Sequence, residues 1–177
     1  MIRAVFLDRD GVINKALVIN GKPYPPKNLE ELEIIEGVAS ALSALNTAGW
    51  LLIVISNQPD VARGTLDSSS VEIINDHLKK TLHIDDFRVC YHDDADLCSC
   101  RKPLPGSILK AATDYGIDLP KSYMIGDRWR DIEAGKRAGC KTIFIDYGYQ
   151  EKHPKDYDHS VSSLFDATDI ILGANNV

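Results

Sequence analysis

The chain has 177 residues, of which 44% are hydrophobic and 26% are charged, and its formal net charge at pH 7 is −6. This length and composition are typical of one globular domain and exclude a disordered chain. The acidic balance argues against nucleic acid or an anionic membrane as a partner, because both require a concentrated basic face. The sequence has no run of transmembrane length and no signal peptide, so we expect a cytoplasmic protein. We also expect it to act as a monomer.

Apolar segments of strand length alternate with amphipathic segments of helical period along the chain. Predicted strands occupy residues 4–7, 51–56, 87–91, 122–127, 141–146 and 169–172. Predicted helices occupy residues 37–49, 68–82, 105–117 and 131–140, and turn-rich loops occupy residues 14–31 and 147–159. Strands that alternate with helices form parallel sheets covered on both faces. We therefore predict an α/β fold, with residues 1–177 forming a single domain around a three-layer, Rossmann-like, doubly wound and mostly parallel sheet.

The first predicted strand is followed by two aspartates in the sequence FLDRDGVIN. Residues i and i+2 of an extended chain point to the same side, so Asp8 and Asp10 could converge beyond the strand. The alternative is that DRDG simply ends the strand, since Asp and Gly are common turn residues. Converging carboxylates require a cation such as Mg²⁺, or a proton on one of them. Whether the pair forms a metal site therefore depends on partners elsewhere in the chain.

Further polar motifs lie at or near the ends of later predicted strands, where ligands bind in open α/β sheets. Each motif is weak by itself, because such residues also cap turns, form solvated faces or favour a helix N-terminus. The motifs are the pairs Ser56 with Asn57, Arg101 with Lys102, and Asp127 with Asp131.

Taken in order, DRDG, SN, K and GDRWRD resemble the motifs of the haloacid dehalogenase superfamily of aspartate-nucleophile phosphotransferases, over residues 8–131. The resemblance implies that Asp8 attacks phosphorus and becomes an aspartyl phosphate. It implies that Asp10 acts first as general acid and then as general base. It also implies a Mg²⁺ ion bound by the Asp8 side chain, the Asp10 carbonyl and Asp127, with Asp131 orienting these ligands.

The same resemblance assigns roles around the transferred phosphoryl group. Ser56 and Asn57 would hydrogen-bond this group, and Lys102 would balance its charge. The residues implied to bind substrate are Asn57, Gln58, Arg63, Arg101 and Arg128.

The segment CYHDDADLCSC spaces four candidate ligands as C-x-H-x5-C-x-C, namely Cys90, His92, Cys98 and Cys100. Three thiolates and one imidazole form a closed tetrahedral set suited to structural Zn²⁺. The alternative is a redox-active thiol pair beside an unrelated histidine, but a disulfide between Cys98 and Cys100 would be strained. We therefore predict a zinc-binding loop at residues 90–100 that fixes the adjacent cations.

The DRDG motif and the cysteine loop followed by Arg-Lys are similar to one branch of the superfamily. This branch contains heptose 1,7-bisphosphate phosphatases and the related histidinol-phosphate phosphatases, and it lacks a large cap domain. Residues 57–64 (NQPDVARG) and 101–106 (RKPLPG) resemble the heptose group, whereas the five-residue gap in the cysteine loop is closer to the histidinol-phosphate group.

The resemblance to this branch implies a phosphoric monoester hydrolase that acts on a small phosphorylated sugar. The expected reaction is hydrolysis of the C7 phosphate of D-glycero-D-manno-heptose 1,7-bisphosphate, in the pathway to nucleotide-activated heptose for surface polysaccharide. A histidinol-phosphate phosphatase, or a phosphatase for another small ester, is the alternative. A third alternative, of a different class, is a non-catalytic fold that uses its zinc loop as an interaction module.

Overall fold

A computed structural model describes residues 1–173 of the chain. Its main sheet contains β1 (Ala4–Leu7), β4 (Leu51–Asn57), β5 (Asp86–Cys90), β6 (Tyr123–Gly126), β7 (Lys141–Ile145) and β8 (His159–Val161). These six strands are all parallel and lie in the order β5-β4-β1-β6-β7-β8. A separate antiparallel hairpin is formed by β2 (Leu17–Ile19) and β3 (Lys22–Tyr24), within the predicted loop 14–31.

Within residues 1–173, five α-helices cover the two faces of the main sheet: α1 (Val38–Thr47), α2 (Ser68–Leu82), α3 (Gly106–Tyr115), α4 (Trp129–Ala138) and α5 (Leu164–Gly173). Strand β1 shows how the layers form, because alternate residues of a strand point to opposite faces. Val5 and Leu7 pack in one core with α1, α2 and α5. Ala4 and Phe6 pack in a second core with α3 and α4. The predicted three-layer α/β fold is confirmed.

The prediction of a strand at residues 169–172 is wrong, because this segment is the second half of α5. The buried residues of α5 recur at helical spacing, as Leu164, Ala167, Thr168 and Ile171. Ser163 Oγ also accepts a 3.1 Å hydrogen bond from the Asp166 backbone N–H near the start of the helix. The sixth strand is instead β8, which is short and mostly exposed and so has no apolar run to reveal it.

The connectivity places a crevice beside β1. The chain proceeds outward from β1 to β4 and β5 and then returns to β6 on the other side of β1. Ligands of open α/β sheets bind where strand order reverses in this way, outside the carboxyl ends of the strands. None of the helices in residues 1–173 has the length and hydrophobicity that a membrane span requires.

Candidate active site

Asp8 immediately follows β1, and its side chain is almost completely buried beside a lysine. Lys102 Nζ donates hydrogen bonds of 2.7 Å to Asp8 Oδ1 and of 2.7 Å to the Ile55 carbonyl. It also lies 2.7 Å from Asp131 Oδ1. Burial disfavours the ammonium form, but the charges of Asp131 and Asp8 outweigh it and raise the pKa of Lys102. Lys102 therefore supplies a fixed positive charge next to Asp8.

Three carboxylates meet at this edge of the sheet and form the carboxylate cluster, Asp8, Asp127 and Asp131. One oxygen of each lies within 4.8 Å of the others. Asp131 has both oxygens engaged, one by Lys102 and the other by the backbone N–H of Arg128 at 3.0 Å. Asp127 Oδ1, in contrast, is buried and has no hydrogen-bond partner within the described chain. This oxygen is therefore free to accept a ligand, whereas both oxygens of Asp131 already have partners.

The crowding of carboxylates changes their acidity. Burial raises the pKa of Asp8 to about 6, and the charge of Asp131 adds to this shift while Lys102 opposes it. Burial also raises the pKa of Asp127 well above its ordinary value, with further contributions from Asp8 and Asp131. Fully ionised, the carboxylate cluster and Lys102 would carry surplus negative charge, which a divalent cation would balance.

The carboxylate of Asp10 is held by three neighbouring side chains. Asn14 Nδ2 donates to Oδ1 at 2.9 Å, and Gln58 Nε2 donates to Oδ2 at 2.8 Å. The guanidinium of Arg9 donates to Oδ1 at 3.0 Å. Arg9 is fully buried and also donates a 2.9 Å hydrogen bond to Asn75 Oδ1, so helix α2 anchors it. Asp10 is thereby fixed in the wall of the cavity that contains Asp8.

The polar residues at the end of β4 stabilise this arrangement. Ser56 is buried, and its Oγ accepts a 2.9 Å hydrogen bond from Gln58 Nε2. Asn57 binds the backbone of Lys102 twice: its Nδ2 donates to the carbonyl at 3.0 Å, and its Oδ1 accepts from the N–H at 3.1 Å. Asn57 lines the cavity, whereas Gln58 is fully buried. The Gln58 amide contacts Asp10 and Ser56, and its role in substrate binding stays a prediction.

Gly11 allows the first motif to pack against the third. Its φ is +90°, and a Cβ at this position would lie 1.9 Å from Asp127 Oδ2. Any larger residue would be strained and would displace the carboxylate. This close approach explains why the aspartate pair is followed by glycine.

A cavity of about 270 Å³ opens onto Asp8, Asp10, Asn57 and Lys102. The β2–β3 hairpin forms one wall of it through Lys22, Pro23, Tyr24 and Pro25. The predicted loop 14–31 therefore helps to enclose the site. Besides Lys102, the cavity lining contains five cations, Lys22, Arg63, Arg101, Arg128 and Arg130.

Two acidic residues of the cysteine loop orient three of these cations. Arg63 makes two hydrogen bonds of 2.8 Å to Asp93, which hold the pKa of that carboxyl at about 2. Arg101 Nε donates to Asp94 at 2.7 Å, while its Nη1 is buried without a partner in the described chain. Arg130 also reaches Asp94, at 3.4 Å. The cysteine loop thus contacts the cavity through its acidic residues.

Arg128 is oriented from the opposite side of the cavity. Its Nε donates at 3.0 Å, and its Nη2 at 2.5 Å, to the carboxylate of Glu151 in the loop 147–159. Burial opposes a charge here, but the pairing with Glu151 raises the pKa of Arg128.

The predicted zinc ligands lie together and form the thiol cluster, Cys90, His92, Cys98 and Cys100. Its three sulfur pairs are 2.8, 3.5 and 3.6 Å apart, and His92 Nδ1 lies 3.3 Å from Cys100 Sγ. Tetrahedral Zn–S bonds of about 2.3 Å place sulfurs about 3.8 Å apart, so only the pair Cys90 and Cys100 needs to spread, by about 1 Å. The cysteines are all free. The donor set therefore fits a structural zinc ion.

Sequence reasoning missed several residues that contact the site. Arg130 lies within the GDRWRD motif, three residues after Asp127. Residues three apart at the start of a helix lie on the same face, so this spacing could have indicated that Arg130 is near the site. Arg9 lies between the two aspartates and was not expected to be buried. Tyr149, whose hydroxyl donates to Asp127 Oδ2 at 2.8 Å, belongs to a loop with no regular period, so no sequence signal pointed to it.

Comparison with known proteins agrees with this geometry. Residues 99–167 match the HAD-hydrolase-like family model. A D-glycero-beta-D-manno-heptose-1,7-bisphosphate 7-phosphatase from Rhodopseudomonas palustris is 38% identical over 148 residues, which cover 77% of this chain and 79% of the relative. A D-glycero-alpha-D-manno-heptose-1,7-bisphosphate 7-phosphatase from Photorhabdus laumondii is 31% identical over 183 residues. This match covers 96% of this chain and 97% of the relative.

A solved structure shares the whole architecture. The D,D-heptose 1,7-bisphosphate phosphatase from Bordetella bronchiseptica, complexed with magnesium and phosphate, superimposes with a TM-score of 0.85 at 28% identity. The match covers 98% of this chain and 99% of that one. The chain therefore belongs to the haloacid dehalogenase-like hydrolases, in the family of the D-glycero-D-manno-heptose-1,7-bisphosphate 7-phosphatases.

Proposed function

We propose that the protein is a Mg²⁺-dependent phosphatase that hydrolyses the C7 phosphate of a D-glycero-D-manno-heptose 1,7-bisphosphate. The observation that carries this proposal is the pairing of Asp8 with the buried ammonium of Lys102, with Asp10 held in the same cavity by three donors. A carboxylate nucleophile needs such positive charge, because phosphate esters repel anions. The similarity to enzymes named for this reaction supports the choice of substrate.

The chain's own residues can perform both halves of the reaction. A carboxylate oxygen of Asp8 attacks phosphorus, and the bond to the sugar oxygen breaks as Asp10 gives that oxygen a proton. Asp10 then takes a proton from water, which attacks the aspartyl phosphate and releases inorganic phosphate and free Asp8. Lys102 balances charge on the transferring group throughout, and Asn57 fixes the Lys102 backbone.

The carboxylate cluster fits Mg²⁺. Asp8 and Asp127 would hold the ion, because Asp127 Oδ1 is buried and unpartnered within residues 1–173, while both oxygens of Asp131 are engaged. Hard oxygen ligands are those that Mg²⁺ prefers. When bound, the ion would neutralise charge on the phosphoryl oxygens.

A second phosphate would find complementary charge in the cavity. Arg128 and Lys22 line it on one side, and Arg101 and Arg130 line it near the cysteine loop. Only one phosphoryl group can occupy the position beside Asp8. The remaining cations, of which Arg101, Arg128 and Arg130 are oriented by carboxylates, would face the other phosphate of a sugar bisphosphate. This distribution supports a bisphosphate over a monophosphate substrate, and Arg63 would contribute at the rim.

We also propose that the thiol cluster binds structural Zn²⁺, because its donors form a closed set and its loop leads directly to Arg101 and Lys102. Reduced thiols are maintained in the cytoplasm, where we place the protein. We further propose that the enzyme is a monomer, which light scattering can test.

A substrate panel with Mg²⁺ tests the proposed function. We expect kcat/KM for one anomer of heptose 1,7-bisphosphate to exceed that for heptose 7-phosphate and for histidinol phosphate by at least about tenfold, with one phosphate released per sugar. Both anomers are needed, since the related enzymes are named for alpha and beta forms. A preference for histidinol phosphate would select the alternative phosphatase, and no turnover of any ester would favour a non-catalytic module. Asp8→Asn serves as the inactive control.

A further inference from the structure

The two carboxylate oxygens of Asp127 have different surroundings. Oδ2 accepts a 2.8 Å hydrogen bond from the hydroxyl of Tyr149. The Cα of Gly11 also approaches this oxygen so closely that a Cβ there would lie 1.9 Å away. Oδ1 is buried and has no partner in the part of the chain that the structure describes. The carboxylate is thus tethered at one oxygen and available at the other.

Tyr149 is held in place by its neighbours in the loop 147–159. The ring of Tyr147 lies 5.7 Å from that of Tyr149, and its hydroxyl donates to the Gly11 carbonyl at 2.9 Å. The backbone N–H of Gln150 donates to the Gly21 carbonyl, in the turn of the β2–β3 hairpin, at 3.2 Å. The next residue, Glu151, is paired with Arg128. The hydroxyl of Tyr149 is therefore presented to Asp127 by a loop with several fixed points.

We propose that Tyr149 is a positioning residue for the divalent cation. Its hydroxyl holds Oδ2 and so leaves Oδ1 as the oxygen available to an ion. A carboxylate fixed in one orientation loses less freedom when it binds an ion, and partners of this kind typically contribute a factor of about 10 to 100 in metal affinity. The inference rests on the proposed Mg²⁺ site, but it concerns a residue outside the four sequence motifs.

The test is calorimetric titration of Mg²⁺ into the zinc-loaded protein, with Tyr149→Phe compared with Tyr147→Phe. The two tyrosine rings are adjacent in space, and Tyr147 is the more exposed of the two. The hydroxyl of Tyr147 donates to a backbone carbonyl and not to a candidate ligand. We expect Tyr149→Phe to raise the Kd for Mg²⁺ by about tenfold or more, and Tyr147→Phe to change it by less than about twofold. Saturating Mg²⁺ should restore the turnover of Tyr149→Phe, because the chemical groups are unchanged.

Asp127→Asn separates failure of this inference from failure of the metal site itself. If Asp127→Asn binds Mg²⁺ as tightly as the natural chain, the proposed magnesium site is wrong, and the role of Tyr149 is wrong with it. If Asp127→Asn loses binding while Tyr149→Phe keeps the natural Kd, only the positioning role is overturned. An equal loss of Mg²⁺ affinity in Tyr149→Phe and Tyr147→Phe would also overturn the positioning role. The affinity would then depend on the conformation of the loop and not on the hydrogen bond to Asp127. The rise in melting temperature caused by Mg²⁺, taken relative to each variant's own Mg²⁺-free value, provides a second readout.

Discussion

The carboxylate cluster and the thiol cluster are two candidate metal sites in one small domain, and they are assembled differently. The carboxylates come from Asp8, Asp127 and Asp131, which the fold of the sheet brings together from distant parts of the chain. The thiol ligands all lie within residues 90–100, which begin at the last residue of the edge strand β5. The first site is almost completely buried, whereas parts of the second are exposed.

This difference indicates a division of labour. The carboxylate cluster lies at the ends of β1 and β6 and in the first turn of α4, and it retains an unpartnered oxygen that a metal ion could use. The thiol cluster offers a closed ligand set on a loop, and its neighbours Arg101 and Lys102 reach into the cavity. We expect substitutions in the carboxylate cluster to impair the reaction steps themselves. We expect substitutions in the thiol cluster to displace Arg101 and Lys102.

The largest effect is expected for Asp8→Asn, which would break the carboxylate cluster while leaving the thiol cluster intact. Turnover should fall by about 10⁴-fold or more, because an amide cannot attack phosphorus. The zinc content and the far-ultraviolet circular dichroism should not change. Substantial residual activity in a preparation free of the natural enzyme would remove Asp8 as the nucleophile.

A loss of about 10² to 10⁴ in kcat is expected for Asp10→Asn, because the variant lacks the general acid and base. The loss of kcat should be greatest for alkyl esters, whose poor leaving groups need a proton. It should be smaller for aryl phosphates, whose leaving groups need little protonation. Equal losses for alkyl and aryl esters would contradict this role. The Mg²⁺ affinity should change little, which distinguishes Asp10 from the side chains of the carboxylate cluster.

Stability without Mg²⁺ should depend on pH through Asp8. Its pKa rises from 3.8 to about 6 on folding, so between these values the folded state binds more protons than the unfolded state. The contribution of Asp8 to the free energy of unfolding should therefore be fully present below pH 4. It should fall by on the order of 3 kcal/mol as the pH rises through 6. The thiol cluster has the opposite pH dependence, because protons compete with zinc for its ligands and so reduce the stabilisation by zinc at low pH.

Urea unfolding of the natural chain and of Asp8→Asn at matched pH values isolates this contribution, since the thiol cluster is common to both. The difference between their unfolding free energies should grow in favour of Asp8→Asn from pH 4 to 7. A difference that stays constant across this range would show that Asp8 does not titrate as described.

The smallest effect is expected for Cys98→Ser, which tests whether the thiol cluster acts through geometry alone. Zinc should fall from about one ion per chain, and phosphoryl transfer should slow by about tenfold as Arg101 and Lys102 lose their fixed position. Cys140→Ala is the matched control, because Cys140 is buried in the core between α4 and β7, outside the cluster. Full activity in zinc-free Cys98→Ser would show that the loop does not position the cations.

The sequence by itself predicted the α/β class, the family and the spacing of both ligand sets. It could do so because strand alternation, helical period and the cysteine spacing are local properties that neighbouring residues establish. The thiol cluster is the clearest case, since all its ligands lie within one short segment. The roles assigned to Asp8, Asp10 and Lys102 remain predictions, although the structure brings these side chains into one cavity.

Only the tertiary structure decided that Asp127 Oδ1 has no hydrogen-bond partner in the described chain, and which side chains contact one another in the site. Gln58 binds Asp10 because it is buried beside it, and Asp131 is engaged by Lys102 because α4 begins next to Lys102. Tyr149 reaches Asp127 only because the loop after β7 folds back against the hairpin. The residues 169–172 form a helix because α5 buries its apolar side against the sheet. These outcomes depend on packing between distant segments, which local sequence patterns do not encode.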